Sequence, residues 1–157
     1  MEPKLSTLEF VFRQRSYVKM PGGSSQSERN FLDFIVDGQS LAEMTHHDLV
    51  SVLCQEWLPE ERERSVRRLL GEEAADFADD RRSILVCAEC GDIGCGAVSA
   101  VVDFSDKTAL WRDFGYQNNY EPEIHCEHLK NIGPFEFDLS DYKSKLIRAL
   151  ETIKTPL

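Results

Sequence analysis

The ten residues Cys87-Ala88-Glu89-Cys90-Gly91-Asp92-Ile93-Gly94-Cys95-Gly96 constrain this chain more than any other segment. Glycine at this density weakens both a helix interior and a packed strand. An apolar run, Ile84-Leu85-Val86-Cys87, leads into the segment, and a second, Ala97 to Phe104 with Val98, Val101 and Val102, leaves it. Two strands joined by a turn over Gly91-Asp92-Ile93-Gly94 satisfy both observations, because glycine supplies the positive φ that tight turns need. Ser105-Asp106 reads as the next turn and Thr108 to Phe114 as a returning strand. Connections this short predict an antiparallel meander.

The rest of the chain is read around that meander. Leu8, Phe10 and Phe12 alternate with polar residues as in a strand, and Pro21-Gly22-Gly23-Ser24-Ser25 breaks the chain. Phe31 to Val36 is aromatic and branched, and the Asp37-Gly38 after it is a strong two-residue hairpin signal. Ser40 to Met44 is then the return strand. Leu49, Val50, Leu53 and Trp57 recur at the spacing of one helix face, and Pro59 ends or restarts that helix. A second helix opens on Glu60, Glu61 and Glu63 and closes on Arg67 and Arg68 before Gly71, in keeping with the helix dipole and glycine C-cap. Glu72 to Asp80 is an acidic linker, residues 117–137 are irregular, and Leu139, Tyr142, Leu146, Leu150 and Ile153 define a last helix capped by Asp138. The expectation is one α+β domain over residues 1–157 in the order βββ-αα-βββ-α: a mostly antiparallel sheet of about six strands with helices packed on one face.

Composition excludes several function classes. The formal net charge is −10. Residues 1–71 carry nine basic and eleven acidic side chains, and residues 72–157 carry nine and seventeen. Nucleic acids and anionic membranes need a basic footprint, so neither is an expected partner. A basic protein is, because charge matching speeds encounter. No apolar run approaches a membrane span, and MEPKLSTLEFVF lacks a secretory layout. An odd count of five cysteines is no secreted disulfide framework. A reducing, cytoplasmic location follows as the expectation.

The cysteines admit two chemistries. Cys87-x-x-Cys90 has the spacing of a zinc knuckle, with Cys95 and Cys126 as further thiolates and His125 and His128 beside the latter; thiolate and imidazole are the donors of a closed tetrahedral Zn²⁺ site. Alternatively, Cys90 and Cys95 flank the turn and face each other as packing thiols or as an oxidisable pair. A thioredoxin-like role for Cys87 and Cys90 is disfavoured, since the motif ends a strand and does not start a helix. VCAECGDIGCGAVSAVV, WRDFGYQNNY and IGPFEFDLSDY also resemble a family of small, largely actinobacterial proteins of uncharacterised activity. That family has a Cys-x-x-Cys-Gly-Asp-x-Gly-Cys-Gly-Ala core, a Trp-Arg-Asp-Phe strand and a Gly-Pro-Phe-x-Phe lead into the final helix. Some of its members carry an oxidoreductase label. The resemblance covers most of the chain, best from residue 84 onward, and its pattern includes no counterpart of Cys126.

No phosphate loop, dinucleotide fingerprint or Gly-x-Ser-x-Gly elbow is present, and no nucleophile–histidine–acid set can be assembled. His46 and His47 are expected to precede the first helix as caps or surface residues. Alternation on the Trp111 strand sets Trp111, Asp113 and Gly115 against Arg112, Phe114 and Tyr116, with at least one of Trp111 and Phe114 in the core. These observations favour a non-enzymatic binding protein, such as an immunity protein that neutralises a basic toxin domain. Its surface would comprise Asp113, Tyr116, Tyr120, Glu121 and Glu123, joined by Asp76, Asp79 and Asp80, since tyrosine is enriched in binding hot spots. The alternative is a metal-stapled or thiol-redox domain built on Cys87, Cys90 and Cys95.

Overall fold

The computed structural model describes residues 4–154. Branched and aromatic segments of the second half, with one short strand from the first, form a five-stranded antiparallel sheet. Its order is β10 (Phe135–Asp138), β9 (Thr108–Gln117), β8 (Ala97–Phe104), β7 (Arg81–Cys87) and β6 (Leu49–Ser51). The first half forms a three-stranded sheet of β1 (Leu8–Arg15), β4 (Arg29–Val36) and β5 (Gln39–Ser40), with a small ribbon of β2 (Val18–Lys19) and β3 (Ser25–Gln26). Three α-helices, α1 (Leu41–Thr45), α2 (Pro59–Leu69) and α3 (Leu139–Lys154), lie among the described residues. No helix among the described residues is long and apolar enough to cross a membrane.

The mixed α+β class and the antiparallel pairing agree with the sequence; the single sheet and the element order do not. The strands divide into sheets of three, two and five, and the order is five strands, a short helix, a strand, a helix, four strands and a helix. The two larger sheets are tied where β4 runs beside the chain after β6: the Leu32 N–H donates to the Leu53 carbonyl at 3.0 Å and the Gln55 N–H to the Asn30 carbonyl at 2.8 Å. This contact explains why the helix expected from Leu49 to Trp57 is absent. Residues 49 to 54 are buried without interruption, whereas a helix would bury one stripe. Burial on both sides by β7 and β4 selects the extended form.

The Asp37-Gly38 turn is present, with φ of 51° and 80° and partners Val36 and Gln39. The return strand beyond it stops after Ser40. There the Ser40 hydroxyl accepts the Glu43 N–H at 3.1 Å and starts α1, and Ser-x-x-Glu is the sequence mark of a helix start. α1 ends on His46 in the left-handed conformation, so His46 and His47 follow a helix and do not precede one. β10 lies inside the stretch expected to be irregular; its four residues pair with residues 108–111 of β9. The expected cap of α3 is made by Asp138, which accepts the Asp141 N–H at 2.9 Å.

On β9, strict alternation fails at Asp113. Gly115 pairs with Ser99 and Arg112 with Val101, so two residues, Asp113 and Phe114, stand against one, Ala100. Asp113 takes a φ of 55° to absorb the extra residue, the geometry of a β-bulge. Trp111 and Phe114 therefore both enter the core, with ring centroids 6.4 Å apart. Trp111 meets Phe34 of the other sheet at 5.6 Å, and its indole N–H donates to the Tyr142 hydroxyl at 3.1 Å. That hydroxyl donates in turn to the Leu69 carbonyl at 2.5 Å. One buried chain of hydrogen bonds thus joins β9, α3 and the end of α2, and burial holds the Tyr142 phenol well above its ordinary pKa.

Replacing Tyr142 with Phe keeps the ring but orphans the Trp111 donor and the Leu69 acceptor. Urea unfolding should show a loss of about 1–3 kcal/mol with an unchanged m-value.

Candidate functional site

The β7–β8 connection carries the site. β7 and β8 pair at Leu85–Val98 and Val86–Ala97, so Cys87 and the glycines before Ala97 lie at the same end of the ribbon. The turn is built from the residues themselves. The Gly91 N–H donates to the Cys87 carbonyl at 2.9 Å, and Gly91 has a φ of 70°. The Asp92 side chain accepts the Gly94 N–H at 2.8 Å and starts a single 3₁₀ turn over Ile93–Cys95. As a result the Cys87, Cys90 and Cys95 sulfurs all lie within 4.8 Å of one another, a group that can hold a metal ion. The Cys90 and Cys95 sulfurs are 3.0 Å apart, too far for a disulfide at about 2.05 Å, so both are thiols.

Backbone donors surround the sulfurs. The Glu89 and Cys90 N–H groups are turned toward the Cys87 sulfur, and the Asp92 N–H points at the Cys90 sulfur at 3.4 Å. Burial alone would push the Cys87 thiol up, but these donors, with the neighbouring thiols, outweigh it and lower its pKa. Cys90 goes the other way, to about 12, through burial and then the hydrogen bond with Cys95. Of these two thiols, Cys87 therefore gives up its proton first. Cys54 is buried outside the cluster and its thiol is raised to about 12, chiefly by desolvation.

The start of the turn is pinned from the first half of the chain. Arg29 donates to the Ala88 and Glu89 carbonyls at 2.7 and 2.8 Å. The Glu89 carboxylate accepts from the Ser27 N–H at 3.0 Å and pairs with Arg15 at 2.9 Å. The Ser27 backbone, then its hydroxyl and Arg15, hold that carboxyl at a pKa of about 2.

Each glycine of the segment seats an aromatic ring. A Cβ on Gly91 would meet the Trp57 indole at 3.1 Å, one on Gly94 the Tyr120 ring at 2.9 Å, and one on Gly96 the Tyr116 hydroxyl at 2.1 Å. The Tyr116 hydroxyl lies 3.4 Å from the Cys95 carbonyl, and its pKa is raised by burial and then by Cys87 and Cys95. His47 stacks on the Tyr116 ring at 4.6 Å and 13°. Desolvation, then His128 and His46, lowers the His47 pKa. The thiols thus sit among three aromatic side chains, with imidazoles behind one of them. Sequence reading missed Trp57 and His47 as neighbours; the signal available was the glycine spacing, since a glycine absent from a turn's φ requirement, such as Gly94, marks a close approach.

The remaining candidates disperse. Cys126 is not in the cluster: it packs over Gly115 on the opposite face of β9 from Tyr116, where a Cβ on Gly115 would lie 3.2 Å from its sulfur. His125 pairs with Tyr116 through backbone hydrogen bonds of 2.8 Å in both directions. Asp113 is exposed on the bulge and held by Arg112 at 2.5 Å. Tyr120 is 80% exposed, and Glu121 and Glu123 are exposed beside it. Asp79 and Asp80 are exposed in a turn with φ of 62° and 60°. Asp76 faces inward, accepting the Ser83 N–H at 3.0 Å. No protein-family model, curated protein or solved structure matches the chain.

Thiolate fraction sets alkylation rate. In chelator-treated protein, iodoacetamide should label Cys87 before Cys90 as pH rises. Cys90 should lag to strongly alkaline pH and Cys54 should stay unlabelled until the fold opens. Peptide mass spectrometry over a pH series checks the order; Cys90 labelling ahead of Cys87 would contradict the donor geometry.

Proposed function

We propose that the chain is a metal-stapled domain in which Cys87, Cys90 and Cys95 hold one Zn²⁺ as thiolates. The observation that carries this reading is the convergence of backbone N–H groups on the Cys87 and Cys90 sulfurs within a three-sulfur group no wider than 4.8 Å. Such donors stabilise negative sulfur, which is the form that binds zinc. Zinc–sulfur bonds of about 2.3 Å in a tetrahedron set sulfurs roughly 3.8 Å apart, so the cluster is close to the required size. A divalent cation would also offset the mutual repulsion of three adjacent thiolates. Three protein ligands leave a fourth position for solvent or for a partner.

Purified protein should contain one zinc per chain by elemental analysis. Cys87→Ser, Cys90→Ser and Cys95→Ser should each lose it, whereas Cys54→Ala and Cys126→Ser should retain it. Chelation should lower the melting temperature, because a metal bound only to the folded form adds its binding free energy to stability. A wild-type chain that folds without metal and takes up none on titration defeats the reading.

A second reading is favoured by Tyr120, which stands 80% exposed beside exposed Glu121 and Glu123. An aromatic anchor ringed by acid suits a non-enzymatic binding protein, and an immunity protein that occludes a basic toxin domain fits that chemistry. On this reading the product of the adjacent gene is the toxin, Tyr120→Ala weakens its capture by about tenfold or more, and Glu123→Lys slows association most at low salt. Surface plasmon resonance with that toxin as probe distinguishes the two effects; undiminished binding by both variants rules this surface out.

A further inference from the structure

We infer that Cys90 and Cys95 form an oxidation site, which a small hydroperoxide closes to a disulfide and so takes two of the three thiolates from the proposed metal site. Only that consequence rests on the metal reading; the pairing itself stands on geometry. The Cys90 and Cys95 sulfurs are 3.0 Å apart, which leaves about 1 Å to the bond length of a disulfide. Both residues are exposed. Cys90 also lines a cleft of about 570 Å³ beside α2, whose charged lining is Glu56, Glu61, Asp76 and Asp92 against Arg68 alone. The potential of that lining admits a small neutral oxidant and repels an anionic one.

The placement of the cysteines selects this pair. Cys87 is the last residue of β7 and pairs with Leu49 of β6, so the sheet fixes its backbone. Cys90 and Cys95 lie beyond the sheet, on a turn whose Gly91 and Gly96 have φ of 70° and 119°. The Cys95 N–H donates to the Asp92 carbonyl at 3.1 Å, and the Asp92 N–H points at the Cys90 sulfur, so Asp92 ties both cysteines to one short turn. Partners held this way react without a bimolecular encounter. Cys54 is buried and Cys126 stands on the other face of β9, so neither competes. In the reaction the Cys95 thiolate attacks one oxygen of hydrogen peroxide. An S–O bond forms, the O–O bond breaks, and the departing hydroxide takes a proton from solvent and leaves as water. The Cys90 thiolate then attacks the sulfur of the Cys95 sulfenic acid. The S–S bond forms, the S–O bond breaks, and the second hydroxide also leaves as water. The sulfurs have lost an electron pair and the peroxide oxygens have gained it. Cys87 is left as a lone thiolate, too few donors for a structural zinc site.

Full-length protein as purified is treated with hydrogen peroxide, and zinc release and free thiols are followed together. Cleavage after Glu89 and before Asp92 puts Cys87, Cys90 and Cys95 on separate peptides, so mass spectrometry of the unreduced digest reads which sulfurs are joined. The expected product joins Cys90 to Cys95. Maleimide labelling of the denatured chain should be lost at those two cysteines alone, zinc should be released in step, and dithiothreitol should restore the labelling. Cys87→Ser should still close the disulfide although it should hold no zinc; chelator-treated wild type makes the same measurement if that variant fails to fold. A disulfide through Cys87 as the end product overturns the inference. So does sulfinic acid on the cluster without a disulfide, or oxidation of Cys90 and Cys95 no faster than that of Cys126. A closed disulfide with zinc retained overturns the loss of the metal site. A disulfide in a chain that held no zinc before treatment defeats the metal reading and supports the pairing.

Discussion

The antiparallel pairing of β7 with β8 is the constraint on which the rest depends, because it fixes where the two ends of the cysteine segment emerge. With Val86 opposite Ala97, ten residues must leave and re-enter the sheet at one place. An excursion that short stays at the end of the sheet and folds back on itself, which brings its own side chains together. The three sulfurs meet for that reason before any metal is considered. β8 then pairs with β9, and the bulge at Asp113 sends Trp111 and Phe114 inward together, so the same ribbon that shapes the thiol turn also anchors the core through Tyr142 and Leu69. The site is rigid at its base because its base is the centre of the five-stranded sheet.

Above that base, the turn is held by contacts from distant segments. Arg15, Ser27 and Arg29 grip Ala88 and Glu89 from the first sheet and the loop before it. Trp57, Tyr116 and Tyr120 press on the three glycines. Any side chain at Gly96 would collide with Tyr116, and its φ of 119° is one that other residues rarely adopt. Two independent requirements therefore exclude every other residue there. Gly94 has no such backbone need, and its small size serves Tyr120 alone. The composition of the segment follows: cysteines where sulfurs converge, glycines where rings or turns leave no room.

The sequence made the local half of this legible. Asp37-Gly38, the helix beyond Pro59 and the Asp138 cap are decided within a few residues and are found, whereas the turn expected over Gly91 to Gly94 is wider, with positive φ at Gly91 and Gly96 and Cys95 inside its 3₁₀ turn. What depended on distant partners was not legible. Leu49 to Leu53 fits a helical stripe as well as a strand, and only its burial between β7 and β4 decides. Phe135 to Asp138 becomes a strand because the exposed side of β9 is there to pair with. One residue of slip at Asp113 regrouped the faces of β9, and nothing local announces a left-handed aspartate. For the site the same division holds. The grouping of Cys87, Cys90 and Cys95 is local and was readable; Cys126 lies thirty-one positions beyond Cys95 in sequence, and the fold puts it on the other face of the sheet.

The thiol cluster and the acidic cleft are not separate in the fold. Cys90, Gly91, Asp92 and Ile93 line the cleft, and Trp57, which also lines it, is the ring seated on Gly91. A change at the sulfurs moves the backbone that carries them, and Gly91 is held between that backbone and the indole. Charge couples them as well. Three thiolates and one Zn²⁺ would sum to −1 beside a cleft already rich in carboxylates, whereas three neutral thiols contribute none. Metal loading would thus deepen the negative potential at the cleft mouth while fixing its wall. Linkage makes the relation reciprocal, so whatever holds Gly91 and Trp57 in this arrangement would favour the loaded cluster by the same free energy that loading lends the arrangement.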